Sequence, residues 1–470
     1  MRKCSSIWRG AVVMCASTLL LSVAVGSADA TGRDPQPCVQ TSAPSLPPPT
    51  ATKVSTVGQV YNCLLDHYFA RARLDNRDLL AAAFAGLTTE LEGRGIDQAD
   101  AVMPPLAGDR AADWGTFAAA YERITSRLPD DRVRQAVAGA AIDSMIGGLH
   151  DNHVRWTRGM SSPSEPGTSY GLGFTASSSS YLAQHSPQRA RGPLHITAVT
   201  GGPAAAQHLR PGDVIEAVNG APPFADSVVS VGALRMLSPR AGDDAPVRLS
   251  LRRPATGRTW TVTLRPETFT PATRTVSAQL VDGDIAAVRM NTFGSGSADQ
   301  VLAAIAELRE QATLRGVVLD VRGNIGGRAA EVPRLLGALA HGRIWGYRCD
   351  VGETCTPQRT DDSVPLLGLP VAVLTDGGCA SSCDAFTSAV KGLELGPVIG
   401  ARTSGMVSGV AHRYALDDNT TVSIATEVGL GPDRERINGI GVPPDHFVPL
   451  TAGDLSAGRD PAMDKAVALL

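Results

Sequence analysis

Aromatic residues make up only 4 % of this 470-residue chain, so a core must be filled mainly by Ala, Val, Leu and Gly. Charge of one sign is also missing. The chain has 43 Lys and Arg against 46 Asp and Glu, a formal net charge of −3, which excludes a general attraction to nucleic acid or to an anionic membrane surface. After residue 30 no run is long and apolar enough to span a bilayer. No His/Cys cluster has metal-ligand spacing, so no metal or cofactor is implied.

What is present begins at the N-terminus. Arg2 and Lys3 precede an almost wholly apolar stretch from Ala11 to Gly26, and Ala28-Asp29-Ala30 offers small residues at cleavage spacing. Residues 1–30 therefore read as a secretory signal peptide, implying a secreted or periplasmic protein. Val12-Val13-Met14 is a poor lipobox for Cys15. Six cysteines follow the signal: Cys38, Cys63, Cys349, Cys355, Cys379 and Cys383. An even count in an exported chain favours disulfides over a zinc site. Spacing suggests Cys349–Cys355 closing a loop and a second pair, Cys38–Cys63. Cys379 and Cys383 are four apart, a pairing that is strained if both sit on a helix.

Residues 31–56 are rich in Pro, Ser and Thr and read as a flexible lead-in. From Val57 to about Trp156 apolar residues recur at three- and four-residue steps, predicting helices. Asp78 is a candidate cap, Pro129-Asp130 a start, and Gly147-Gly148 the stop of a helix over about Arg132–Leu149. After a Ser/Gly/Pro-rich link over Met160–Thr168 the pattern changes to short strands: Gly171–Ala176, His195–Val199, Val214–Val218, Val247–Leu251 and Trp260–Leu264. From about Ser277 strands and helices alternate. The strands are Ile285–Met290, Gly316–Asp320 and Val371–Thr375, and the helices Ala298–Arg309, Ala329–Leu339 and Ala385–Lys391. This predicts an α/β layer structure with parallel pairing, and Thr420–Thr426 adds a late strand.

The β-rich segment carries an ordered set of turns: Gly171-Leu172-Gly173-Phe174, then Gly202-Pro203-Ala204-Ala205, Leu209-Arg210-Pro211-Gly212-Asp213-Val214-Ile215 and Val218-Asn219-Gly220. These resemble a PDZ domain. The resemblance implies that Gly171, Leu172, Gly173 and Phe174 offer backbone N–H groups to a peptide's terminal carboxylate, while the next strand accepts the peptide as an added edge. Asn219-Gly220 suits a hairpin turn needing positive φ.

The segment Thr375-Asp376-Gly377-Gly378-Cys379-Ala380-Ser381-Ser382-Cys383-Asp384 follows an apolar strand and precedes a helix. A serine there has its hydroxyl held out of the sheet, beside helix N-terminal N–H groups that favour negative charge. A second Gly-rich turn, Asp320-Val321-Arg322-Gly323-Asn324-Ile325-Gly326-Gly327, also ends a buried strand. With Gly439-Ile440-Gly441-Val442-Pro443-Pro444-Asp445, these motifs resemble the C-terminal processing (tail-specific) peptidases and the related tricorn core. The resemblance covers about residues 57–450. It implies a multidomain α+β protein: an N-terminal helical head (57–160), a PDZ domain (168–268) and a ClpP/crotonase-like α/β serine peptidase core (277–455). It puts the nucleophile on Ser381, with Ser382 as alternative, and the oxyanion donors on backbone N–H groups of Gly326, Gly327 and Ser382. Asp384 stands where that family usually has Glu.

The sequence departs from the family at the base. The usual Ser partner is a Lys in a Thr-Phe-Gly-Lys-Gly-x-x-Gln stretch. Here Thr403–Val410 puts Met406 at the Lys position and Val410 at the Gln position, and neither takes a proton. Lys391 reads as an exposed helical lysine. The tricorn branch pairs Ser with His and Glu, which places the base on His153 in Leu149-His150-Asp151-Asn152-His153, with His412 as second candidate and His150 as packing or surface. The orienting residue falls on Asn438, with Glu427 and Glu435 as local substitutes. The expected function is a serine endopeptidase acting on peptide or protein substrates through their C-termini. The rival is a catalytically silent peptide-binding scaffold.

Overall fold

A computed structural model of the chain describes residues 37–43, 46–158, 167–177, 190–225, 228–239, 244–272, 274–409 and 411–470. The signal-peptide reading, most of the link over Met160–Thr168 and Val410 lie outside the described residues.

The N-terminal part holds strand β1 (Val39–Gln40), helices α1 (Val54–His67), α2 (Asn76–Gly93), α3 (Arg110–Thr125) and α4 (Asp131–Gly147), and strand β2 (Arg155–Thr157). The cap of α2 is Asp75, whose carboxylate accepts from Arg77 N at 2.8 Å, while Asp78 lies in the first turn. A carboxylate reaches the orphan N–H groups only from outside the helix, which is why Asp75 displaces the Asp78 expected from sequence. Asp130 caps α4 through Val133 N at 2.8 Å.

The middle part is β-rich: β3 (Ser169–Gly171), β4 (Phe174–Ala176), β5 (Ile196–Val199), α5 (Gly202–Ala206), β6 (Val214–Val218), β7 (Phe224–Ala225), β8 (Val228–Val229), α6 (Val231–Arg235), β9 (Val247–Arg253), β10 (Arg258–Leu264) and β11 (Glu267–Phe269). Its own small core gathers Leu172, Leu194, Ile196, Ile215, Leu249 and Leu264. Asn219 and Gly220 both take positive φ, 50° and 88°.

The remainder alternates: β12 (Val276–Val281), β13 (Ile285–Met290), α7 (Ser297–Gln311), β14 (Gly316–Asp320), α8 (Glu331–Gly337), β15 (Ile344–Asp350), β16 (Cys355–Arg359), β17 (Val371–Thr375), α9 (Ser382–Gly392), β18 (Val398–Gly400), β19 (Ala411–Ala415), β20 (Thr421–Ala425), β21 (Glu427–Leu430), β22 (His446–Phe447), α10 (Ala452–Ser456) and α11 (Pro461–Leu469). The central sheet runs β12-β13-β14-β17-β18-β22, parallel throughout except for the β12–β13 pair. Alternation along its strands sends side chains to two faces. Val317, Leu319, Val371 and Val373 meet Val301, Ile305, Leu335 and Phe386 of α7, α8 and α9. Val318, Ala372 and Leu374 meet Ala462 and Ala466 of α11. Because both faces are covered, β14 and β17 are wholly buried and read as unbroken apolar runs.

Two features position the site. The loops after β14 and β17 leave adjacent parallel strands at their carboxyl ends, the usual place for a site in such sheets. The hairpin β19–β20 departs from the α/β core and completes the helical part. It forms a sheet in the order β1-β19-β20-β2, and Tyr414, Val422 and Ile424 share one core with Val60, Leu80, Phe117 and Ile142. All three disulfides suggested by the cysteine pattern are present: Cys38–Cys63, Cys349–Cys355 and Cys379–Cys383. The last is accommodated because Cys379 lies in the turn ahead of α9 and only Cys383 is helical.

Candidate active site

Ser381 sits at the head of α9 with φ 59° and ψ −118°. Cys383 N donates to Ala380 O at 3.0 Å, closing a turn with Ser381 as its first central residue. Those angles belong to a type II′ turn, a place usually taken by Gly. An L-residue held there costs about 1–3 kcal/mol and persists only where its surroundings over-determine it. The surroundings are dense. Ser381 N donates to Asp384 Oδ2 at 3.0 Å, Ala380 N donates to Asn324 O at 3.0 Å, and Cys379 is bridged to Cys383.

Asp384 is fully buried and organises the neighbouring loop as well. Its carboxylate accepts from Gly405 N at 2.8 Å and Met406 N at 2.8 Å, besides Ser381 N. Burial pushes its pKa up to about 6, against hydrogen bonds from Thr403 and from the Met406, Gly405 and Ser381 backbone.

The Gly-rich turn after β14 lies directly against Ser381. Gly326 has φ 94°, and a Cβ on it would stand 2.6 Å from Ala380 O, 2.7 Å from Ser381 Cβ and 2.9 Å from Ser382 N, so only Gly fits. Of the three N–H groups expected as oxyanion donors, one is already occupied. Gly326 N is spent on Asn324 Oδ1 at 2.9 Å, because an Asn side chain folds readily onto the N–H two residues on. The N–H groups of Gly327 and Ser382 meet no acceptor among the described residues. The Ser382 hydroxyl is not free to attack: buried, it donates to Gly327 O at 3.0 Å and ties the two turns together.

His153, from the loop after α4, brings Nε2 to 3.3 Å from Ser381 Oγ. Its Nδ1 is 2.7 Å from Ser408 Oγ, and Ser408 Oγ donates to Asp151 Oδ1 at 2.6 Å. Ser408 has a single hydroxyl hydrogen. With that hydrogen on the carboxylate, its oxygen accepts from Nδ1–H, leaving the Nε2 lone pair toward Ser381, which is the tautomer a base requires. Asp151 Oδ1 lies 3.6 Å from Nδ1, too far for a direct hydrogen bond. The Asp151 side chain is 4 % exposed. Burial raises its pKa, but hydrogen bonds from His153 and Ser408 outweigh that and hold it below the usual carboxylate range. His153 N at 2.8 Å and Tyr68 Oη at 3.0 Å also donate to it, and burial with the Asp151 charge pushes the Tyr68 phenol upward.

Other residues named from sequence stand elsewhere. Asn438 does not orient the imidazole: its Oδ1 accepts from Val407 N at 3.0 Å, and the Nδ1 side of His153 is filled by Ser408. Met406 is buried against Ala380, an apolar plug where an amine was expected. Lys391 pairs with Asp445, and His412 meets Gln40 Nε2 at 2.8 Å. Glu427 pairs with Arg348 at 3.2 Å, while Glu435 accepts from Ser388 Oγ at 2.8 Å. His150 is exposed with φ 51°. Gly171, Leu172, Gly173 and Phe174 form the turn between β3 and β4, with Gly173 O accepting from Thr200 N at 2.8 Å and Leu172 O from Ala204 N at 3.0 Å. Sequence reasoning missed Ser408 and Asp151. The signals were their spacings, Ser408 two past Met406 and Asp151 two before His153.

Residues 284–448 match Peptidase family S41. Tricorn protease homolog 1 of Streptomyces coelicolor is 35 % identical over 167 residues, covering 35 % of this chain and 15 % of its own length. The chloroplastic C-terminal processing peptidase of Tetradesmus obliquus is 30 % identical over 267 residues, covering 53 % of this chain and 55 % of its own length. The chain thus spans little more than half, at most, of these two relatives. The fold is similar to the photosystem II D1 C-terminal processing protease, with TM-score 0.54 and 20 % identity over 84 % of this chain and 93 % of that one. It is also similar to mature CPAF, with TM-score 0.52 and 14 % identity over 86 % and 93 %. The segment that matches Peptidase family S41 holds both Gly-rich turns, Ser381 and Ser408.

Proposed function

We propose that this protein is a serine peptidase acting on peptide or protein substrates outside the cytoplasm, with Ser381 as nucleophile and His153 as base. The observation that carries the reading is the unbroken line of short contacts from Ser381 through His153 and Ser408 to Asp151. It supplies a proton acceptor although Met406 stands at the amine position. Nε2 takes the Ser381 proton as Oγ attacks the scissile carbonyl, and the Asp151 charge, relayed through Ser408, favours the imidazolium. The Gly327 and Ser382 N–H groups receive the developing oxyanion. His153 then returns the proton to the leaving amine, and water, deprotonated by the same nitrogen, releases the acyl group.

The β-rich part, read as a PDZ domain over 168–268, presents the Gly171–Phe174 turn to a substrate's free carboxylate, in keeping with relatives named for C-terminal processing. Three disulfides and the apolar N-terminus fit an exported protein. Among the described residues no helix is long and apolar enough to cross a membrane.

A fluorophosphonate probe tests the proposal. The wild type should label, Ser381→Ala should not, and His153→Ala should label at least ~100-fold more slowly. A folded wild type that binds C-terminal peptides yet never labels would leave the silent scaffold as the function.

A further inference from the structure

We infer that the Cys379–Cys383 bridge is a positioning element for the nucleophile, holding the Ser381 turn in its reactive shape. The inference rests on the reading of Ser381 as nucleophile. The bridge joins residues on either side of Ser381, with Cα atoms 5.3 Å apart and a sequence separation of 4. It therefore closes covalently the same turn that the Ala380–Cys383 hydrogen bond closes. As a staple for the whole fold so short a loop is poorly placed, since loop-closure stabilisation grows with the length of chain enclosed. Cys38–Cys63, enclosing a separation of 25, is the bridge suited to that role. What the short bridge does control is local.

Ser381 stands at φ 59°, where an L-side chain relaxes to a commoner conformation unless prevented. Hydrogen bonds to Asp384 and Asn324 hold the flanks and the Ala380–Cys383 hydrogen bond spans the turn, while the bridge adds a covalent link that cannot break when the hydrogen bond does. Its sulfurs are anchored in turn. Both cysteines are fully buried, with Cys383 Sγ 3.6 Å from Val321 O of the oxyanion turn and Cys379 Sγ 3.5 Å from Thr387 Oγ1 of α9. The bridge thus closes the nucleophile turn covalently, accepts from Thr387 of the nucleophile helix and packs against the oxyanion turn. Its loss lets Ser381 rotate away from His153 Nε2 and moves the Ser382 N–H off the oxyanion position, while substrate contacts elsewhere stay in place.

The experiment uses the full exported chain as wild type, Ser381→Ala, Cys379→Ala/Cys383→Ala and Cys379→Ser/Cys383→Ser. Circular dichroism reports folding, and saturable fluorophosphonate labelling separates the maximal inactivation rate from the half-saturating concentration. A folded double variant should lose at least ~10-fold in maximal rate with the half-saturating concentration unchanged. A folded double variant within ~2-fold of wild type in maximal rate overturns the inference. So does failure of both doubles to fold at room temperature, because the bridge would then serve the core and not the turn. Labelling of Ser381→Ala, or none of the wild type, removes the nucleophile assignment itself and is told apart by those two controls.

Discussion

Removing the Ser408 hydroxyl tests the relay most directly. In Ser408→Ala, Nδ1–H loses an acceptor at 2.7 Å and faces Asp151 Oδ1 across 3.6 Å. The charge attraction survives in weakened form, but two hydrogen bonds on the line to a buried carboxylate are gone. A hydrogen bond to a charged group is worth about 1.5–3 kcal/mol, which corresponds to roughly 10–150-fold in rate. Asp151→Asn removes the charge itself. By analogy with loss of the orienting carboxylate in a Ser-His-Asp triad, it should cost on the order of 10³–10⁴-fold. The two substitutions act on one unit, so the double variant should be little slower than Asp151→Asn alone. Ser408→Thr, which keeps a hydroxyl, should recover part of the loss. The assay is the maximal fluorophosphonate labelling rate, with folding followed by circular dichroism. A folded Ser408→Ala within ~3-fold of wild type would refute the relay, as would single losses that simply multiply in the double variant.

Asp384 predicts a pH signature. Its folded pKa, pushed up to about 6, lies above the ordinary 3.8, so the folded state takes up this proton first and its contribution to stability grows as pH falls through 6. The difference in urea unfolding free energy between wild type and Asp384→Asn should therefore shift toward wild type by about 2 kcal/mol between pH 7.5 and 4.5; a flat difference would contradict the burial argument. Gly326→Ala should abolish labelling by more than ~100-fold and lower unfolding free energy by about 1–3 kcal/mol, since its Cβ collides with Ala380 O and Ser381 Cβ. Met406→Lys should not raise the labelling rate and should cost about 2–4 kcal/mol in urea unfolding, because in the proposed reading His153 already serves as base and the new amine would be buried against Ala380. A faster enzyme would show that the amine route is still open.

Much of the central sheet was legible for one reason: strands covered on both faces leave continuous apolar runs. Ile285–Met290, Gly316–Asp320 and Val371–Thr375 were read with the boundaries the structure shows. Strands with one open face were lost. β15 and β16 carry Arg348, Asp350, Gln358 and Arg359, and β19 reads Ala-His-Arg-Tyr-Ala, so neither offers a clean alternation. At the site, the turn chemistry around Ser381 was visible as a run of small residues between strand and helix. The wiring behind His153 was not. Asn438 was named for its place in a segment, but a side-chain amide binds whichever backbone group is nearest, here Val407 N. Ser408 was passed over because the family pattern drew attention to positions 406 and 410. Gly326 was misread as a donor because Asn324, two residues earlier, takes that N–H.

The hairpin Ala411–Ala425 has a bearing on when the proposed peptidase could first act. It lies late in the chain yet completes the core around α1–α4, and the residue that steadies His153 comes just ahead of it. Synthesis proceeds from the N-terminus, so a nascent or truncated chain lacking this stretch has a base without its support and a head without its last wall. Competence for the proposed cleavage would thereby wait until nearly the whole polypeptide has emerged and docked back on its beginning.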